Sequence, residues 1–221
     1  LGQRIFQQPF SWKALGLDVR GRSSTLRINY RTSHQIRLHA DRLLPANVSD
    51  VDGNTEERRG TVSMSDGPPP VVLACVDADE ECRTVASWIS DRLTEGCAPR
   101  EIGVFVRSKD ELKRAKAAVK AAGVRAIELT DRIEAAEDAV AIGTMHFAKG
   151  LEFRSVVVMA CDDEVIPQSA RIASVADDAD LEEVYNTERH LLYVACTRAR
   201  DHLLVTGINP MSEFVDDFLK P

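Results

Sequence analysis

From residue 71 onward, short apolar runs alternate with amphipathic stretches of helical period, and this rhythm limits the folds open to the chain. Residues 71–76 read as a strand. Residues 79–94 read as a helix with Val85, Ala86, Ile89 and Leu93 on one face. Ile102–Val106 is the next strand, 109–122 a helix closed by Gly123, and 124–128 a strand. Residues 139–142 and 156–159 are two further apolar runs, 183–199 a helix with Leu191, Leu192 and Ala195 inward, 202–206 a last strand and 212–219 a closing helix. Strands alternating with helices predict a parallel sheet with crossover helices. Continuous apolar runs, rather than alternating ones, mark strands buried on both faces. The fold class is therefore α/β, and 221 residues suit one sizeable core, or one core plus an appendage.

The segment before this rhythm is different. Residues 1–24 have no period and gather Phe6, Phe10 and Trp12. Those aromatics either pack on a neighbouring domain or stack on bases. Residues 25–31 alternate as a short strand does. Thr32-Ser33 can cap a helix over 33–44, with Ile36, Ala40, Leu43 and Leu44 on one face and Pro45 closing it. Residues 46–70 form a surface excursion that ends in Gly67 and three prolines, to which no chemistry is assigned. The acid-rich stretch around Asp162, Asp163, Glu164, Asp177, Asp178 and Asp180 reads as a solvated loop, since its spacing matches no calcium loop. The chain starts Leu1-Gly2 without Met, which predicts a piece of a longer protein.

Charge narrows the partners. A net charge of −7 gives no global basic field, although a local basic face stays open. The five cysteines form no CxxC pair and no cluster at zinc spacing, so buried free thiols in a reducing, cytoplasmic setting are expected, and no metal site. No apolar run approaches ~20 residues, so no membrane span is expected.

The turn 143–153, GTMHFAKGLEF, joins two of the buried strands. Ligands of open α/β sheets bind at the carboxyl ends of strands. A polar turn containing a Lys-Gly pair at that place is a site candidate, with an ordinary strand-to-helix loop as the alternative.

Four stretches then carry a resemblance, in order and spacing, to the C-terminal motor half of superfamily 1 DNA helicases of the UvrD/Rep type. Gln3-Arg4-Ile5-Phe6 resembles the tail of their third motif. LRINYRT (26–32) resembles the fourth, TMHFAKGLEF (144–153) the fifth and ERHLLYVACTRAR (188–200) the sixth; IGVFVRS (102–108) is a softer match. The resemblance implies a three-layer RecA-like fold: a mostly parallel sheet with helices on both faces, spanning 25–221. Residues 1–24 would be the end of the third motif and the linker from a first RecA-like domain. That first domain would carry the phosphate-cradling loop and the Mg2+ ligands, and nothing in this chain reads GxxxxGK[ST]. The cofactor implied is ATP with Mg2+, and the partners are single-stranded DNA and that first domain, with the protein a monomer.

Residue roles follow from the same resemblance. Arg31 and Arg198 resemble the two arginines that reach the γ-phosphate across the domain cleft, with a surface ion pair as the alternative for each. Gln3 resembles the γ-phosphate sensor. Tyr30 resembles the aromatic that stacks on adenine, and a core role is its rival, because it must face away from Arg31 on a strand. Glu152 resembles the acceptor of a ribose hydroxyl, or else pairs with Lys149 or Arg154. Gly150 lets the backbone approach closely. Lys149 is a phosphate or a structural cation. Thr144 and His146 resemble residues facing single-stranded DNA, Arg107 a further DNA-backbone contact, and Phe6 and Trp12 the aromatics on which bases stack.

The implied activity is ATP-dependent DNA translocation or unwinding, 3′→5′ by resemblance, with this chain alone inactive. A non-catalytic scaffold or DNA-binding module, and the helicase part of a helicase–nuclease, are the rivals. The best-known members insert a large accessory helical domain between positions matching Glu128 and Ala139, where this chain has about ten residues; strand separation attributed to that insert does not carry over.

Overall fold

The computed structural model describes residues 28–45, 47–49, 55–57, 62–130 and 136–220. Gln3, Phe6 and Trp12 lie outside these residues. In chain order the strands are β1 Ile28–Asn29, β2 Asn47–Ser49, β3 Thr55–Glu57, β4 Val62–Ser63, β5 Val71–Cys75, β6 Ile102–Val106, β7 Arg125–Glu128, β8 Ala139–Thr144, β9 Phe153–Val158 and β10 Ala199–Ile208. The helices are α1 His34–Asp41, α2 Ala78–Thr94, α3 Leu112–Ala121, α4 Ser169–Ala173, α5 Asp178–Cys196 and α6 Glu213–Leu219.

Six strands make one sheet in the order β5-β10-β9-β6-β8-β7, and every pairing in it is parallel. The interior strands β6, β8 and β9 are almost wholly buried, which is why their sequences are continuously apolar. Side chains alternate between two cores. Val104, Val106, Ile142, Val157 and Leu204 face α2 and α3 with Val85, Ile89 and Val119. Phe105, Ala141, Val156, Val158 and Val205 face the other way, packing with Ile36, Leu191, Leu192, Phe214 and Phe218 of α1, α5 and α6. Helices on both faces of a parallel sheet give the three-layer architecture expected. The two small sheets, β1 with β4 and β2 with β3, lie outside it.

Boundaries differ from the sequence reading in three instructive places. Helix α5 begins at Asp178, not 183: the Asp177 carboxylate accepts from the Asp180 amide at 2.9 Å, and acids in a first turn suit the helix dipole. What reads as loop acidity is helix-starting chemistry. Strand β10 starts at Ala199 rather than 202, its charged Arg200 and Asp201 falling where the register with β9 shifts. Asp162 is largely enclosed: it accepts from the Ile208 amide at 2.6 Å and from Arg114, whose guanidinium also holds Glu111 and the fully buried Glu81. Burial favours the neutral form of Arg114, but Asp162 and Glu81 more than offset this and hold it charged.

Candidate functional site

The connection from β8 to β9 sets the geometry of the site. Thr144 pairs with Val106, at the carboxyl end of the sheet, whereas Ile102 pairs with Ser155, two residues into β9. Phe153 therefore lies at the amino end, six strand positions away, or about 20 Å at ~3.3 Å per residue. Between them is no α-helix, only a 3-10 turn, Met145–Ala148, and an extended stretch turned at Gly150, whose φ is +85°. Met145 and Ala148 are buried and anchor this strap in the core shared with α5. The GTMHFAKGLEF stretch thus serves both ends of the sheet.

At the amino end, the Arg31 Nε lies 3.6 Å from Glu152. That makes Arg31, rather than Lys149 or Arg154, the partner of Glu152; Arg154 pairs with Asp201 at 3.3 Å. Arg198 points to the same place. It is 3% exposed and donates to the carbonyls of Val194 (3.0 Å) and Leu151 (3.2 Å) and, at 3.4 Å, to the Thr197 hydroxyl. Among the described residues no carboxylate pairs with it. Burial and then the nearby Arg31 charge hold its guanidinium below the ordinary arginine range. The 30–33 segment is stitched to this corner by the Thr32 hydroxyl donating to Thr197 O (3.2 Å) and the Ser33 amide donating to Arg200 O (3.0 Å). Strand β1 stops at Asn29, whose side chain accepts from the Arg31 amide at 2.9 Å. Tyr30, in the bend that follows, is 69% exposed, which removes the core role as its rival. Tyr30, Arg31, Glu152, Gly150 and Arg198 thus share one corner, with Lys149 exposed beside them.

At the carboxyl end lie Thr144, nearly buried, His146, half-buried, and Arg107. Arg107, a DNA-backbone contact by resemblance, is turned inward in this structure. It is 4% exposed, and its Nε and Nη2 donate to the two oxygens of Glu188 at 2.6 and 2.5 Å. Glu188 is fully buried on α5 and also accepts from Arg171 (2.9 Å) and the Gln168 amide (3.4 Å). Burial pushes the Glu188 carboxyl up, yet the two arginines outweigh it and leave it below the usual glutamate range. Burial, reinforced by Arg107, pushes the His146 imidazole toward its neutral form. Two guanidiniums share one carboxylate here, and the partly exposed Arg171, not the buried Arg107, is the one that reaches outward.

Sequence reasoning missed Glu188 and Arg171. For Glu188 there was a signal: with Leu191, Leu192 and Ala195 it falls at i, i+3, i+4 and i+7, so a charge sits on the apolar stripe of a helix. For Arg171, on the five-residue α4, there was none.

The chain's similarities to known proteins fit this arrangement. Residues 124–209 match the UvrD-like helicase C-terminal domain family. The ATP-dependent DNA helicase PcrA of Bacillus subtilis is 36% identical over a match spanning 38% of this chain and 12% of that protein. PcrA of Staphylococcus aureus is 37% identical over the same shares. The chain thus spans a small part of the length of these relatives. The C-terminal domain of a possible DNA helicase from Lactobacillus plantarum WCFS1 superposes with a TM-score of 0.58 at 20% identity, covering 86% of this chain and 94% of that one, and shares its fold. Residues 124–209 thus carry a likeness to UvrD-like helicase C-terminal domains, and the chain as a whole shares the fold of the helicase C-terminal domain from Lactobacillus plantarum.

Proposed function

We propose that the chain is the second motor domain of an ATP-dependent DNA translocase or helicase, moving 3′→5′ on single-stranded DNA. The observation that carries this reading is Arg198: a buried guanidinium that, among the described residues, is held by neutral acceptors, beside a second cation, Arg31. A polyanion arriving at that corner relieves both charges at once. The γ-phosphate of ATP, bound with Mg2+ on a first RecA-like domain, is such a polyanion, and guanidiniums there stabilise charge spread over the equatorial oxygens of a loose transition state. In this scheme Arg198 leaves its carbonyl contacts and Arg31 leaves Glu152 as the cleft closes. Glu152 is then free to accept from the ribose, Gly150 admits the backbone close to the nucleotide, and Tyr30 stacks on the base. Gln3 senses the same phosphate.

Thr144 and His146, with Arg171 in place of Arg107, face the DNA backbone at the other end, and Phe6 and Trp12 stack on its bases. Hydrolysis then opens a two-state hinge between the domains. The chain by itself has no phosphate-cradling loop and does not hydrolyse ATP.

The test is ATPase activity of the complete gene product with and without single-stranded DNA, beside Arg198→Ala and Arg198→Lys. DNA-stimulated activity that falls by about 10³-fold or more in both variants supports the reading, because arginine fingers contribute on that scale. Activity retained in Arg198→Ala refutes the finger role. A folded wild-type protein without activity refutes the motor.

A further inference from the structure

The chain is acidic as a whole, yet four of its seven lysines, Lys109, Lys113, Lys116 and Lys120, fall on one line. They begin in the turn before α3 and follow it at spacings of four, three and four residues. Helical geometry puts such positions within an arc of about 60° and spreads them over roughly 16 Å. All four are exposed. The opposite side of α3 is core, through Leu112, Ala115, Ala118 and Val119. Of the acids nearby, Asp110 is exposed beside Lys109, and two others are engaged elsewhere or with one lysine. Glu111 turns to Arg114 at 3.1 Å, and Glu128 of the edge strand β7 holds Lys116 at 2.7 Å in an exposed pair. Lys109, Lys113 and Lys120 make no ion pair among the described residues. The stripe starts two residues after Arg107, at the carboxyl end of the sheet, and follows α3, from which Lys116 reaches Glu128 of the edge strand β7.

We propose that this flank binds the phosphate backbone of duplex DNA, without regard to sequence. Compact ammonium groups in a straight row match the fixed phosphates of a stiff duplex and release its counterions. A single strand is a poorer fit. Such strands are held by aromatic platforms as well as charge, and no aromatic residue lies between Lys109 and Lys120. The choice of DNA rests on the motor reading, but binding is measured without nucleotide, so each can fail alone.

The experiment is fluorescence anisotropy of the complete gene product against salt, with a blunt 20-base-pair duplex and a 20-nucleotide single strand as probes. The variants are Lys113→Gln/Lys120→Gln and a control of equal charge change on other exposed surface, Arg100→Gln/Lys220→Gln. Gln keeps helix propensity near that of Lys, so folding is spared. At about 0.9 per phosphate contact, the slope of log K against log salt on the duplex falls by about 2 in the α3 variant. On the single strand it is unchanged, and the control moves neither. An unchanged duplex slope overturns the proposal. So does an equal fall on both probes, which reassigns the stripe to the single-strand track, and so does an equal fall in the control, which reduces it to general charge.

Discussion

Replacing Glu188 by Gln keeps its shape and removes its charge from a site with no access to water. Glu188 is fully buried, Arg107 is 4% exposed, and the two share a bidentate contact at 2.5 and 2.6 Å. A neutral amide leaves the Arg107 cation buried without a counter-ion, and one amide nitrogen now faces donors. Breaking a buried pair from one side costs about 3–5 kcal/mol. For a chain of this length each kcal/mol shifts the melting midpoint by about 2–4 °C, so Glu188→Gln melts on the order of 10 °C lower. The assay is denaturant and thermal unfolding followed by circular dichroism. Glu188→Leu, Arg107→Met and the double variant Arg107→Met/Glu188→Leu complete a cycle with the wild type. The double variant recovers the part of the loss that comes from Arg107, because that orphaned charge is gone, while the partly exposed Arg171 turns to water. A Glu188→Gln loss below about 1 kcal/mol, or strictly additive single losses, would show that the pair is not the unit its geometry describes.

Three further outcomes are expected. Gly207→Ala destabilises by about 1–3 kcal/mol in the same unfolding assay, because its new Cβ would sit 2.7 Å from the Cys161 carbonyl carbon and oxygen, backbone atoms that cannot swing aside. Acid weakens the fold in two stages readable by titrating stability against pH. His146 and His202 are both held neutral first by burial, so the unfolded chain binds more protons and their contribution fades as pH falls below about 6.5; those of Glu188, Asp201 and Asp217, all held low, fade below about 4. Arg31→Ala in the complete gene product lowers ATPase turnover but leaves the melting midpoint within about 1 °C, since its ion pair with Glu152, the one it makes among the described residues, is exposed on both sides and contributes little.

The central sheet was legible because its strands are buried on both faces: Ile102–Val106 was read to the residue, from apolarity alone. The corner that joins Arg31 to Arg198 was legible only as separate motifs. Nothing local to LRINYRT or TRAR says that Arg31 and Arg198 meet at the start of β9; sheet order brings them there. Arg107 and Asp162 were misread for one reason. Each is a charged residue just past a strand end, where solvent is the local expectation, and each is buried by partners remote in sequence, Glu188 for Arg107 and Arg114 with the Ile208 amide for Asp162. Residue patterns report which face of an element is apolar. They do not report which distant charge will close over it.

The strap from Thr144 to Phe153 acts as a ruler. Its two ends are pinned in the sheet, its middle is pinned by Met145 and Ala148, and α5 runs alongside, with Glu188 held at one end and Arg198 just past the other. The spacing between the corner of Arg31 and Arg198 and the end of Thr144 and Arg107 is therefore built into close-packed interior, which resists stretching. Such a part travels as one rigid body and transmits displacement without absorbing it, so any stroke has to be generated at the domain's outer boundary. Pulling on one end delivers the same movement at the other, about 20 Å away, with no slack between them.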